Sequence, residues 1–275
     1  RHRAIVGACN RILEGGFEDQ FPVVRYQTGS GTSSNMNVNE VIANLASTEE
    51  LAVSPNDHVN MGQSSNDVIP TAIHVAAVKV LQNQVLPALT HLEGCIYERE
   101  SLLNGQVKTG RTHLMDAMPV TLGQDLRAWR EQLEGVSRRL EFCGDDLLPV
   151  PQGGTAVGTG VNADTRFAGE FVKIMHDLTG FRLREMEHKF VGQSAVDAPV
   201  HLSSQLRGMA IVLMKIANDL RWMNSGPIHG LAEISLPALQ PGSSIMPGKV
   251  NPVIPESVAM VAAQVMGLDS AVAIA

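Results

Sequence analysis

Aromatic side chains make up only 4% of this 275-residue chain, so a composition that is 44% hydrophobic must fill its interior with Leu, Val, Ile, Ala and 12 methionines. Those residues favour packed helices. Cysteine is scarcer still: Cys9, Cys95 and Cys143 stand far apart and form no CxxC pair. That spacing argues against a disulfide framework and for a reducing compartment, and without an H-E-x-x-H or a carboxylate-rich loop the expectation is no metal and no cofactor. Positive charge is not in excess either. At a net −7 the chain has no electrostatic footprint for nucleic acid, so an anionic ligand has to be met by local groups. No uninterrupted apolar run of bilayer length stands out, and Arg1-His-Arg-Ala-Ile-Val lacks a signal-peptide layout. The expectation is a soluble, cytoplasmic protein with no membrane partner, cut from something longer because the sequence does not begin with Met. Internal repeats and long linkers are also missing, and the length fits one or two domains.

What is present is concentrated in loops. From Gln240 to Glu256 the chain reads Gln-Pro-Gly-Ser-Ser-Ile-Met-Pro-Gly-Lys-Val-Asn-Pro-Val-Ile-Pro-Glu, four prolines and two glycines in 17 residues. Regular structure is forbidden there, and the polar groups left are Ser243, Ser244, Lys249, Asn251 and Glu256. A serine hydroxyl becomes a useful base only where amides and a cation stabilise its alkoxide, and this loop offers both. It reads as an active-site lid.

Three further polar clusters each precede a helical pattern. Tyr26-Gln-Thr-Gly-Ser-Gly-Thr-Ser-Ser-Asn is rich in small donors and leads into a helix expected from Asn37 to Ala46, where an anion is favoured at the N-terminus and an ordinary cap is an equal alternative. Ser54-Pro-Asn-Asp-His-Val-Asn-Met-Gly-Gln-Ser-Ser-Asn-Asp67 precedes a long helix from Thr71 to about Leu103, with Pro70 expected in its first turn. Its buried stripe is expected at Ile73, Ala76, Ala77, Val80 and Leu81, continuing at Val85, Leu86, Leu89 and Leu92, with a kink or break at Pro87. Gly110-Arg-Thr-His-Leu-Met reads as a loop before a helix from about Val120 to Asp146. Further helices are expected near 2–14, 164–178, 199–224 and 255–275. Gln152-Gly-Gly-Thr-Ala-Val-Gly-Thr-Gly matches neither GxGxxG nor a Walker loop and reads as a tight turn that lets helices approach. His58, His74, His188, His201 and His229 show no ligand spacing and read as structural or surface residues.

These blocks, in this order, resemble the signatures of the fumarase and aspartase superfamily, homotetrameric lyases that release fumarate. Within it the chain is similar to class II, iron-independent fumarases: it has Thr28-Gly-Ser-Gly-Thr32, Ser64-Ser-Asn66, Pro247-Gly-Lys249 and, above all, Arg111-Thr-His113, where aspartases tend to have Arg-Thr-Gln. The resemblance implies an all-α bundle of long helices, with helices from four subunits forming the centre of the tetramer. Residues 1–64 would be an N-terminal portion carrying a substrate loop and 65–275 the central helical domain, with further segments at both ends. It implies metal-independent, reversible hydration of fumarate to L-malate. Ser243 would act as the base, Lys249 and Asn251 would hold the aci-carboxylate, and His113, polarised by Glu256, would handle water. Ser30, Gly31, Thr32, Ser64, Ser65, Asn66, Thr112, Ser244 and Val250 would bind the dicarboxylate, in sites shared by three subunits. Two departures stand out. Ser54-Pro55-Asn56-Asp57 replaces the His-Pro-Asn-Asp of a secondary dicarboxylate site, and Ala46 to Ser54 is shorter than the family pattern. Aspartate ammonia-lyase on the same scaffold is the nearest rival, and a non-catalytic scaffold protein a more distant one.

Overall fold

The structure, a computed structural model, describes residues 1–275. Nine α-helices dominate: α1 His2–Leu13, α2 Thr32–Ala46, α3 Ser65–Val80, α4 Leu86–Leu103, α5 Leu122–Asp146, α6 Phe167–Thr179, α7 Lys189–Ser194, α8 Asp197–Met223 and α9 Val253–Ile274. The strands are few: an antiparallel hairpin, β1 Val107–Thr112 with β2 Met115–Thr121, and a two-residue parallel pair, β3 Pro149–Val150 with β4 Arg184–Glu185. The all-α class that the resemblance implies, with the helices that composition favours, is what the chain adopts. Two compact units share the chain, Arg1–Lys79 with Asp146–Pro199, and Val80–Asp145 with Val200–Ala275.

In the first unit α1 lies on α2, around Ala8, Ile42, Ala43, Ala46 and Val53. Apolar residues of α1 recur at helical spacing, Ala4, Ile5, Ala8, Cys9 and Ile12, which is why one face of this short helix is buried. The short segment 46–54 closes as a tight turn, with Thr48 bridged to Leu51 and Ser47 Oγ accepting from Val53 N–H at 3.1 Å. The glycine-rich stretch is a close-approach turn, as expected. Gly153 has φ +90°, and a Cβ there would lie 2.9 Å from Ala168. The second unit is organised by α5, whose Trp129, Leu133, Val136, Leu140 and Cys143 repeat every three or four residues and are all buried. Trp129 Nε1 donates to Asp219 of α8 at 3.2 Å, and Asp269 of α9 is fixed by Ser203 and Arg207 of α8 at 2.8 and 2.9 Å.

Several expectations are corrected. Helix α2 begins at Thr32, five residues before the expected Asn37, because Gly31 can turn the chain in a left-handed conformation. Pro70 is inside α3 rather than in its first turn, since that helix starts at Ser65; the missing N–H forfeits one helical hydrogen bond. The buried stripe is Thr71, His74, Val78 and Leu81, then Leu89 and Ile96, while Ile73 and Val80 are exposed. Periodicity locates an apolar face, but here polar Thr71 and His74 take the inward positions, His74 Nδ1 lying 3.0 and 2.9 Å from the carbonyls of Leu147 and Pro149. The irregularity expected at Pro87 appears just ahead of it, as a π-helical turn over Leu81–Val85, and α4 restarts with Pro87 in its first turn. Residues 107–121 form a hairpin, not a loop. Helix α9 holds no uninterrupted apolar run, carrying Glu256, Gln264 and Asp269, yet by length and composition alone it is apolar enough to cross a bilayer, and little of it is buried within the chain.

Candidate active site

Gly31 has φ +66°, and a Cβ there would meet Ile69 at 2.8 Å, so only glycine fits. Its turn places Ser30 Oγ 2.9 Å from Thr32 Oγ1, which lies 3.0 Å from Ser65 Oγ. Thr32 and Ser65 are the first residues of α2 and α3. That hydroxyl contact therefore joins two helix N-termini, whose free N–H groups and macrodipoles favour an anion. Ser64 Oγ accepts from Asn66 N–H at 3.2 Å, and Asn66 Nδ2 donates to Ala156 O at 2.8 Å. A cavity of about 270 Å³ lies beside Ser30, Ser65 and Asn66.

Under this cluster is a residue the sequence reading passed over. Asp67 is fully buried and accepts N–H bonds from Ser64, Gly153 and Thr155 at 2.9, 3.1 and 2.8 Å. Burial raises its carboxyl pKa above the ordinary value, while the backbone amides pull the other way. It ties the Ser64–Asn66 segment to the glycine turn. The available signal was a charge opening an apolar helix.

Ser54 to Asp57 form a self-contained cap. Ser54 Oγ accepts from Asp57 N–H at 3.1 Å and donates to its carboxylate at 3.0 Å, Pro55 opens a π-helical turn, Asn56 is exposed, and His58 Nδ1 accepts from Ser54 N–H at 2.8 Å.

In the second unit Thr112 and His113 sit at the tip of the β1–β2 hairpin. His113 and Leu114 form a two-residue turn with φ of +55° and +63°, an uncommon backbone for side chains of that kind, and both are exposed. The ladder carries a bulge between Thr109 and Arg111, and at Gly110 a Cβ would lie 2.5 Å from Met118 O. Such a bulge bends the strand and raises its local twist.

The Gln240–Pro252 segment is a closed loop: Gly242 N–H donates to Lys249 O at 2.9 Å, and Asn251 Nδ2 to Gly242 O at 3.4 Å. A Cβ on Gly242 would sit 2.3 Å from Lys249 O, so glycine is required. Lys249, Val250, Asn251 and Glu256, the last in the first turn of α9, line a cavity of about 1260 Å³. Ser243 and Ser244 lie on the other limb of the loop, outside that lining, with Ser243 Oγ accepting from Ile245 N–H at 3.3 Å. No hydrogen bond within the chain joins His113 to Ser243 or Glu256.

Glu233 lines the same cavity and went unnoticed in the sequence, where it stands in an undistinguished Leu-Ala-Glu-Ile. It accepts from Arg111 and lies 2.9 Å from Lys108 Nζ, which also meets Asp125 at 2.9 Å. Burial alone would raise the Glu233 pKa, but the Arg111 and Lys108 contacts prevail and lower it. Both cations are themselves raised. For Lys108 the partners overcome a burial effect of opposite sign, and for Arg111 the Glu233 hydrogen bond dominates.

In the first unit long helices gather hydroxyls at their N-termini, and in the second a proline-stiffened loop sets a lysine, an amide and a carboxylate on one cavity. The chain belongs to the lyase family, whose model matches residues 1–267. It is 55% identical to the fumarate hydratase class II of Xylella fastidiosa strain 9a5c, over 99% of this chain and 58% of that protein. The solved class II fumarase of Schistosoma mansoni superposes with a TM-score of 0.96 at 39% identity, over 99% of this chain and 62% of that one. A fumarate lyase:delta crystallin of Brucella melitensis, solved bound to cobalt, gives 0.92 at 45% identity, covering 99% and 61%. The chain thus spans less than two thirds of the length of these relatives.

Proposed function

We propose that the whole protein containing this chain is a fumarate hydratase, interconverting fumarate and L-malate. The observation that carries this reading is 55% identity, over 99% of the chain, to a protein named fumarate hydratase class II. The motif blocks support it, above all His113, for which a leaving ammonia would have no need. In the malate-to-fumarate direction Ser243, as alkoxide, takes the C3 proton, and the electron pair left on C3 moves into the neighbouring carboxylate as an aci-dianion. Lys249, Asn251 and backbone amides hold that charge. The pair then returns to form the C2–C3 double bond as the C2–O bond breaks, and the hydroxyl leaves as water with a proton from His113, polarised by Glu256. Thr112, Ser30, Thr32, Ser65 and Asn66 fix the carboxylates, with Gly31, Ser64, Ser244 and Val250 around them. The motif blocks support a site shared by three subunits of a homotetramer, the serine loop, the His113 block and the Ser30–Thr32 block coming from different chains.

The test is Ser243→Ala in the full-length protein. Turnover of L-malate should fall by roughly 10²–10⁴-fold, the range for a lost general base, with the fold and assembly retained. Unchanged turnover would overturn the assignment of the base.

A further inference from the structure

The hairpin that presents Thr112 and His113 is not held by an apolar core, since Thr112, His113, Leu114 and Met115 are exposed. What secures it is electrostatic. Glu233 accepts from Arg111, two residues before His113, and pairs with Lys108 three residues further back on β1 at 2.9 Å. Its backbone is fixed as firmly. The N–H groups of Glu233 and Ile234 both donate to Met223 O, at 2.8 and 3.2 Å, and Met223 is the last residue of α8. Lys108 also reaches Asp125 in the first turn of α5, and Arg111 reaches Asp116 on β2. One carboxylate therefore links the end of a 27-residue helix to both cations of β1, astride the bulge between Thr109 and Arg111.

We infer that Glu233 is a positioning residue, acting through Arg111 and Lys108 to fix the placement of Thr112 and His113. It touches no reacting atom in this scheme. The inference rests on the proposed hydratase reading for its catalytic consequence, but not for its mechanical one. Two charged strand residues left without their shared partner would let the tip drift, and a misplacement of about 1 Å can cost about 10²-fold in rate. Neutral Glu233→Gln keeps the volume and one acceptor oxygen while removing the charge.

The experiment is a double-mutant cycle in the full-length protein: wild type, Glu233→Gln, His113→Asn and the pair, followed with L-malate. Glu233→Gln is expected to lower kcat by roughly 10–10²-fold with KM changed far less, and to shift the pH profile of kcat. In the His113→Asn background the same substitution should cost clearly less, the remainder being its effect through Thr112. Equal losses in both backgrounds would overturn the inference, since Glu233 would then act independently of His113. Hydrogen exchange of the 107–121 amides supplies a readout free of activity. Glu233→Gln should accelerate exchange there while α5 and α8 stay protected, and unchanged hairpin exchange would refute the clamp. If the wild type turns over no malate while the hairpin still loosens, the hydratase reading fails and the clamp stands.

Discussion

At His113 the backbone as much as the side chain sets what a single residue presents. An imidazole in a left-handed two-residue turn is exposed and held by the strands on either side, so its replacement should cost chemistry and not stability. His113→Asn is expected to reduce kcat/KM by roughly 10²-fold with an unchanged denaturation midpoint in urea; a large stability loss would instead mark it as structural. Gly153 is the opposite case. With φ +90° and Ala168 2.9 Å from any added Cβ, Gly153→Ala combines backbone strain with a clash and should cost about 1–3 kcal/mol, checked by the same urea titration. Charge at Glu233 has a pH signature. Because its folded pKa lies below the ordinary 4.5, the stability it contributes is full above 4.5 and lost as pH falls through the lower folded value. Removing the charge by Glu233→Gln should flatten the stability curve on that acid limb. Asp67, shifted the other way, contributes stability at low pH that is lost as pH rises through its raised value.

At the scale of elements, sequence patterns located most helices and fewer of their details. Residues of α5 announce themselves because apolar positions recur at three and four, and its observed span Leu122–Asp146 lies within two residues of the expected start. The β1–β2 hairpin was hidden because its strands do not alternate: Val107, Met115 and Met118 are exposed, and its closure depends on Glu233, more than 100 residues away. Helix α2 was placed late because its start is set by the conformation of Gly31, which composition does not reveal. Of the polar clusters, the hydroxyl contacts among Ser30, Thr32 and Ser65 bring together residues chosen from two separate blocks. Glu233 was not legible, and Asp67 only as a charge opening an apolar helix, since a buried carboxylate becomes special only through partners distant in sequence.

For the molecule as a whole, the exposed apolar residues of α9, among them Met260, Val261 and Leu268, ask for a covering surface, and other copies of the same chain would supply it in the proposed homotetramer. Activity per chain of the full-length protein should then fall on dilution below the assembly's dissociation range, as sedimentation and rate measured together would reveal; constant activity in the monomer would contradict a shared site. Most direct of all is the absorbance of the fumarate double bond on incubating the full-length protein, with EDTA present, with L-malate and separately with L-aspartate. Fumarate appearing from L-malate alone, and lost in Ser243→Ala, is the expected result. Fumarate from L-aspartate alone would make the enzyme an ammonia-lyase, and silence with both would contradict a fumarate-releasing lyase altogether.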